Sequence, residues 1–115
     1  MKVWKVWIVF VGALLALSVA GCGKTRTNSV VTGAPQHAHD GQVRVVMEGN
    51  EPPPGFREIA LVQAQGLRGN ADMAHVVEGL RAEARRLGCN IVVNVRVDQG
   101  VNQASGTGVC GVVAE

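Results

Sequence analysis

The sequence predicts an α+β fold of two layers, with a single helix packed on a three- to four-stranded mixed sheet in the order β-β-α-β-β. Three observations predict it. Met73, Val76, Val77, Leu80, Ala84 and Leu87 recur at helical spacing and form one apolar stripe. The segments flanking that stripe, FREIALVQAQ (56–65) and CNIVVNVRVD (89–98), are rich in aliphatic residues at strand periodicity. A last alternating segment, SGTGVCGVVA (105–114), follows the turn-rich QGVNQASG. A strand–helix–strand unit crosses over right-handed, so strands 56–65 and 89–98 run parallel, and the last strand returns antiparallel to the second of them.

The elements follow in order. Val43, Val45 and Met47 alternate with Arg44 and Val46, which suggests a short strand at a sheet edge. Glu51-Pro52-Pro53-Pro54-Gly55 then interrupts regular structure with a stiff extended loop. The strand 56–65 carries apolar residues at both parities, as a central strand does. Asn70 can cap a helix that runs to about Leu87. Asp72 in its first turn and Arg85 and Arg86 in its last suit the helix dipole, and Gly88 suits a left-handed C-terminal cap. Glu78, Arg81, Glu83 and His75 face water in this reading. In 89–98, Cys89, Ile91, Val93, Val95 and Val97 share the face toward the helix. In 105–114 that face carries Gly106, Gly108, Cys110, Val112 and Ala114, where glycines permit close helix–strand approach.

The N-terminus carries a different signal. Met1 to Lys5 is a short positive region, and Val6 to Ala20 is an apolar run of signal-peptide length. GCGKT (21–25) ends it. These letters suggest a phosphate-binding loop, but that motif needs a glycine at position 18, where Ser18 stands, and a helix after it, where RTNSVVTGAPQHAHDG has no helical period. Val19-Ala20-Gly21-Cys22 instead resembles the lipobox of bacterial lipoproteins. The resemblance implies diacylglycerol on the Cys22 thiol, removal of residues 1–21 and acylation of the new amino group. Gly23, where Asp would signal inner-membrane retention, implies the outer membrane. An uncleaved membrane anchor is the competing reading. Residues 1–21 are thus expected to be a signal peptide, 22–41 a lipid-anchored flexible tether and 42–115 the domain.

Composition narrows the function. Removing residues 1–21 from the 115 leaves 94, with Lys24 and eight arginines against nine acids. Such a neutral domain lacks the electrostatic footprint of nucleic-acid binding. Both tryptophans, Trp4 and Trp7, lie in the signal, and Phe56 is the one aromatic after it, so stacking platforms for bases are absent. A core of short aliphatic side chains in so small a chain gains from a covalent staple. Cys89 and Cys110 lie nearly opposite in a 89–98/105–114 hairpin and on the same face. An exported protein can keep them bonded, worth ~3 kcal/mol in the chain-entropy model. The alternative is two buried thiols. His37-Ala38-His39-Asp40 places two imidazoles and a carboxylate together in the tether. Such a tract can bind Zn²⁺, Cu²⁺ or Ni²⁺ weakly or can be simple polar linker.

Ala84-Arg85-Arg86-Leu87-Gly88-Cys89-Asn90-Ile91-Val92 and Ser105-Gly106-Thr107-Gly108-Val109 resemble the motifs of a loose group of small bacterial domains. That group includes uncharacterised lipoproteins, the Rcs envelope-stress sensor lipoprotein and the YbjQ-like group associated with heavy-metal binding. Cys89 departs from the group's usual small alanine. The resemblance implies the fold and no one activity. The expected function is therefore a non-enzymatic envelope lipoprotein, anchored to the membrane and acting through protein–protein contact as a component or sensor. No cofactor is expected. The alternative is metal binding or sensing through His37, His39 and Asp40, with His75 as a possible fourth ligand.

Overall fold

The computed structural model describes residues 23–114. Six elements run β1 (Gly23–Val31), β2 (Arg44–Met47), β3 (Arg57–Arg68), α1 (Met73–Arg86), β4 (Ile91–Gln99) and β5 (Gln103–Val112). All five strands join one sheet in the order β1-β3-β5-β4-β2, and α1 covers one face of it. The α+β class and the single helix among the described residues are as the sequence predicts. The strand number and order differ: the chain runs β-β-β-α-β-β, with a first strand where a flexible tether was expected.

The strand–helix–strand unit is split. β5 pairs antiparallel with both β3 and β4, so those two are parallel to each other with β5 between them. β2 is the short edge strand and pairs parallel with β4. β1 forms the opposite edge, antiparallel to β3 over the full run from Gly23↔Arg68 to Val31↔Ala60. Asp72, not Asn70, caps α1: its carboxylate accepts the His75 N–H at 2.8 Å. Asn70 sits two residues earlier, in the β3–α1 turn, and its amide donates to Thr25 Oγ1.

The core lies between α1 and the inner face of the sheet. Ile59, Val62, Val76, Leu80, Val92, Val95, Cys89 and Cys110 are its largest fully buried side chains in contact with one another. Most are small, so the helix must come close to fill the layer. Gly106 allows this: a Cβ there would lie 2.5 Å from Val76 Cγ1. Gly88 serves twice, with φ +79° to end the helix and no Cβ to strike Gln36. In β4 the expected facing is half right. Register shifts between Val93 and Arg96, and Asn94 takes φ +53°. This bulge puts Val92 and Val95 together in the helix-side core, while Val93 lies on the other parity.

β1 is bound to the helix by polar contacts. The sequence reading turned Glu83 to water; it is instead buried, with 6% exposure. Thr27 Oγ1 and Ser29 Oγ donate to its two carboxylate oxygens at 3.0 and 2.9 Å. Arg86 closes the cluster through Nε at 3.0 Å and a second, shorter contact from its guanidinium. These bonds, Arg86 first, hold the Glu83 carboxyl below its ordinary pKa against the opposing effect of burial.

Glu83→Ala should therefore lower stability by about 1 kcal/mol, because it removes the hydrogen bonds of the buried carboxylate while Thr27 and Arg86 are exposed enough to bond water instead. Urea unfolding of residues 23–115 measures it. The wild-type contribution has a defined pH sense. Because the folded-state pKa is lowered, the contribution is complete above the ordinary carboxylate range and is lost as pH falls through the folded-state value. Glu83→Ala should lose that acid-range slope.

Candidate functional site

The residues singled out by sequence do not converge on one place. Cys22, the expected lipidation residue, lies outside the described residues, as do residues 1–21. The other candidates divide between the helix C-terminus, the helix N-terminus and the sheet.

Cys89 and Cys110 come together at disulfide distance, with Cα atoms 5.8 Å apart, and both are fully buried. They do not meet as a facing pair in the ladder. Cys110 faces Val92, and Ile91 faces Gly111. Cys89 belongs to the turn between α1 and β4, where its N–H bonds Ala84 O at 2.8 Å. The contact therefore joins the end of the helix to the centre of the sheet.

The segment 32–43 packs across that same helix end. Gln36 N–H donates to Leu87 O and His39 N–H to Arg85 O, which satisfies carbonyls the helix leaves open. Arg85 Nε returns a bond to Gly41 O at 2.8 Å. His39 is fixed at both ring nitrogens. Gly41 N–H donates to Nδ1 at 3.0 Å, so the proton sits on Nε2 and donates to Cys89 O at 2.8 Å. Neither lone pair is then free for a metal. His37 and Asp40 are exposed. His75 belongs to the opposite end of α1, ten residues or ~15 Å from Arg85. There it contacts Asp72, whose carboxyl is held below its ordinary pKa chiefly by the His75 backbone N–H and then by its ring. No three His, Cys, Asp or Glu side chains among the described residues are grouped to hold a metal ion.

The feature that the sequence reading missed is the open face of the sheet. Residues that face one another across the strands form rows there. Val30 faces Leu61, Leu61 faces Val109, and Val109 faces Val93. This makes an unbroken aliphatic row over β1, β3, β5 and β4. It is graded: Val93 is buried, Val109 half-buried, Leu61 46% exposed and Val30 64% exposed. The next row toward the N-terminus of β1 is polar, with Asn28 facing Gln63 and Gln63 facing Thr107. Between the rows lies a shallow hollow of about 310 Å³ bordered by Asn28, Leu61, Asn94, Thr107 and Val109.

The row escaped detection because one of its four residues lies in β1. The inner-face residues of that strand are Thr25, Thr27 and Ser29, where an ordinary strand would carry aliphatics. GKTRTNSVV therefore shows no hydrophobic alternation. Its β-branched threonines and closing valines were the available signal.

Compared with protein-family models, curated proteins and solved structures, the chain matches none.

Peptide mapping without reductant should recover Cys89 and Cys110 in one linked species. Reduction, or the Cys89→Ala/Cys110→Ala double variant, should lower stability by about 3 kcal/mol on the chain-entropy estimate. Two free thiols in protein isolated from an oxidising compartment would remove the bond from the account.

Proposed function

We propose that this chain is a non-enzymatic lipoprotein of the cell envelope, held by acyl chains on Cys22 and acting by contact between its open sheet face and a protein partner, as an envelope component or sensor. The observation that carries the contact is the Val30–Leu61–Val109–Val93 row. Helix α1 packs on the inner face of the sheet; on the other face the Phe56 ring lies over Gly111, while Leu61 and Val30 stay exposed. A partner that covered Leu61 (46% exposed) and Val30 (64% exposed) would gain about 1–2 kcal/mol for each, since part of each side chain is already buried. The polar row beside it supplies the hydrogen-bonding rim that such interfaces use.

The anchor rests on Val19-Ala20-Gly21-Cys22 at the end of an apolar run, behind Lys2 and Lys5. Two or three acyl chains hold a protein stably in a bilayer. Gly23 favours the outer membrane. Charge favours protein over nucleic acid as the partner, since Lys24 and the arginines balance the acids after residue 21. The competing reading, metal binding through His37, His39 and Asp40, has less support because both ring nitrogens of His39 are engaged by the domain itself.

Intact mass of protein extracted from membranes should equal residues 22–115 plus acyl mass. An unmodified soluble product would overturn the anchor. A photocrosslinking residue at position 61 should give a discrete protein adduct in the native envelope. The same residue at position 78, on the exposed side of α1, should not. Leu61→Asp should remove contacts captured from position 30, while leaving the thermal midpoint within a few degrees of wild type. Equal adducts from positions 61 and 78, or none from either, would count against the open face as the contact surface.

A further inference from the structure

The expected tether would have let the domain float free of its anchor. The structure removes that freedom. Gly23, the residue next to Cys22, is already paired with Arg68 as the first position of β1. Adjacent Cα atoms are only ~3.8 Å apart, so a lipidated Cys22 must sit within one residue of the folded sheet. The end of the domain that carries Gly23 therefore meets the bilayer.

That end has the composition such a surface needs. Besides Gly23 it comprises the β3–α1 turn and the β4–β5 hairpin, which are joined by the bond from Arg68 N–H to Asn102 O at 3.0 Å. Val101 sits at the hairpin tip and is 96% exposed, the most exposed large hydrophobic side chain of the domain. Met73, at the start of α1, is 50% exposed. Lys24 and Arg68 stand next to the chain start, both exposed, and neither is in an ion pair among the described residues. The two acids nearby are already engaged: Asp72 caps α1 and contacts His75, and Asp98 lies 3.6 Å from Arg96. An exposed aliphatic tip flanked by unpaired cations is suited to a bilayer interface with anionic headgroups.

We infer that the Gly23–Arg68–Val101 end is a membrane-docking rim, which rests directly on the anionic phospholipid surface that holds the Cys22 acyl chains. This deepens the lipoprotein reading and depends on it. The rim fixes orientation: β1 rises away from the bilayer, and the seven residue steps from Gly23 at ~3.3 Å each put Val30 about 23 Å from that rim. The apolar row is then presented sideways at a set height, and its reach is that of a rigid domain.

The mature chain contains neither Trp nor Tyr, so one added tryptophan is a clean probe. Acylated Val101→Trp protein is reconstituted in phosphatidylethanolamine/phosphatidylglycerol vesicles, with and without lipids brominated near the headgroup. Pro54→Trp, before the far end of β3, is the control. Intact mass and vesicle flotation are measured first. Flotation with Val101→Trp emission blue-shifted and quenched about twofold or more, and Pro54→Trp unaffected, is the expected result. Flotation with both probes water-exposed and unquenched overturns the rim and leaves the lipoprotein reading standing. Protein that lacks acyl mass and does not float overturns both.

Discussion

The buried carboxylate of Glu83 is the contact on which the arrangement of this domain turns. The core beneath α1 can be closed by β3, β5 and β4 without help, because Ile59, Val62, Val92, Val95 and Cys110 supply its aliphatic surface. β1 brings little such surface, only the Thr25 and Thr27 methyls, which close on α1 at Gly79. It is held to β3 by its backbone ladder and to the helix by Thr27 and Ser29, whose hydroxyls meet one glutamate. A buried carboxylate is tolerated only when its oxygens are fully engaged. Here two hydroxyls and a guanidinium engage them, and no buried side-chain polar atom is left without a partner among the described residues. That satisfaction makes an otherwise polar strand part of the domain.

Two consequences follow from one strand. β1 completes the aliphatic row on the open face by adding Val30 beside Leu61, and it brings the chain start to one rim of the sheet. The first bears on the proposed protein contact and the second on the proposed lipid contact. Both would vanish if 23–31 were a loose tether. The segment after it is fixed as well. Gln36 and His39 close the C-terminus of α1, and Cys89 and Cys110 lie within bonding distance at the same end. The helix is therefore held at its start by Asp72 and its own turn, along its side by the Glu83 cluster, and at its end by the 32–43 segment.

How much of this was legible depended on whether hydrophobic pattern carried the element. α1, β3 and β4 were legible because each places aliphatics at a regular period, and β5 because Gly106, Gly108, Cys110 and Val112 alternate with the residues between them. The partial failure in β4 has a local cause: the Asn94 bulge shifts parity midway, so Val92 and Val95 share a face that strict alternation assigns to different sides. Insertion of β5 between β3 and β4 could not be read from either strand alone, since all three carry buried aliphatics. β1 was illegible because its inward face is Thr-Thr-Ser, and Glu83 was misplaced for the same reason: an acid on a helix is assigned to water unless its buried partners are known. The cysteine pair was expected for its burial and shared face, but the route is through the helix–strand turn. The His37-Ala38-His39-Asp40 tract looked like a ligand set because sequence cannot show that His39 spends both nitrogens on the backbone.

β1 belongs to the folded domain from Gly23 onward, so residues 23–31 are a strand of the sheet and not a free tether. Amide hydrogen exchange on residues 23–115 tests this directly. The account predicts that β1 amides bonded into β3 exchange in the same slow class as those of β3 and β5, and that they lose protection together with them as denaturant is raised. Exchange of residues 23–31 at the rate of unstructured chain, while β3 and β5 stay protected, would contradict it.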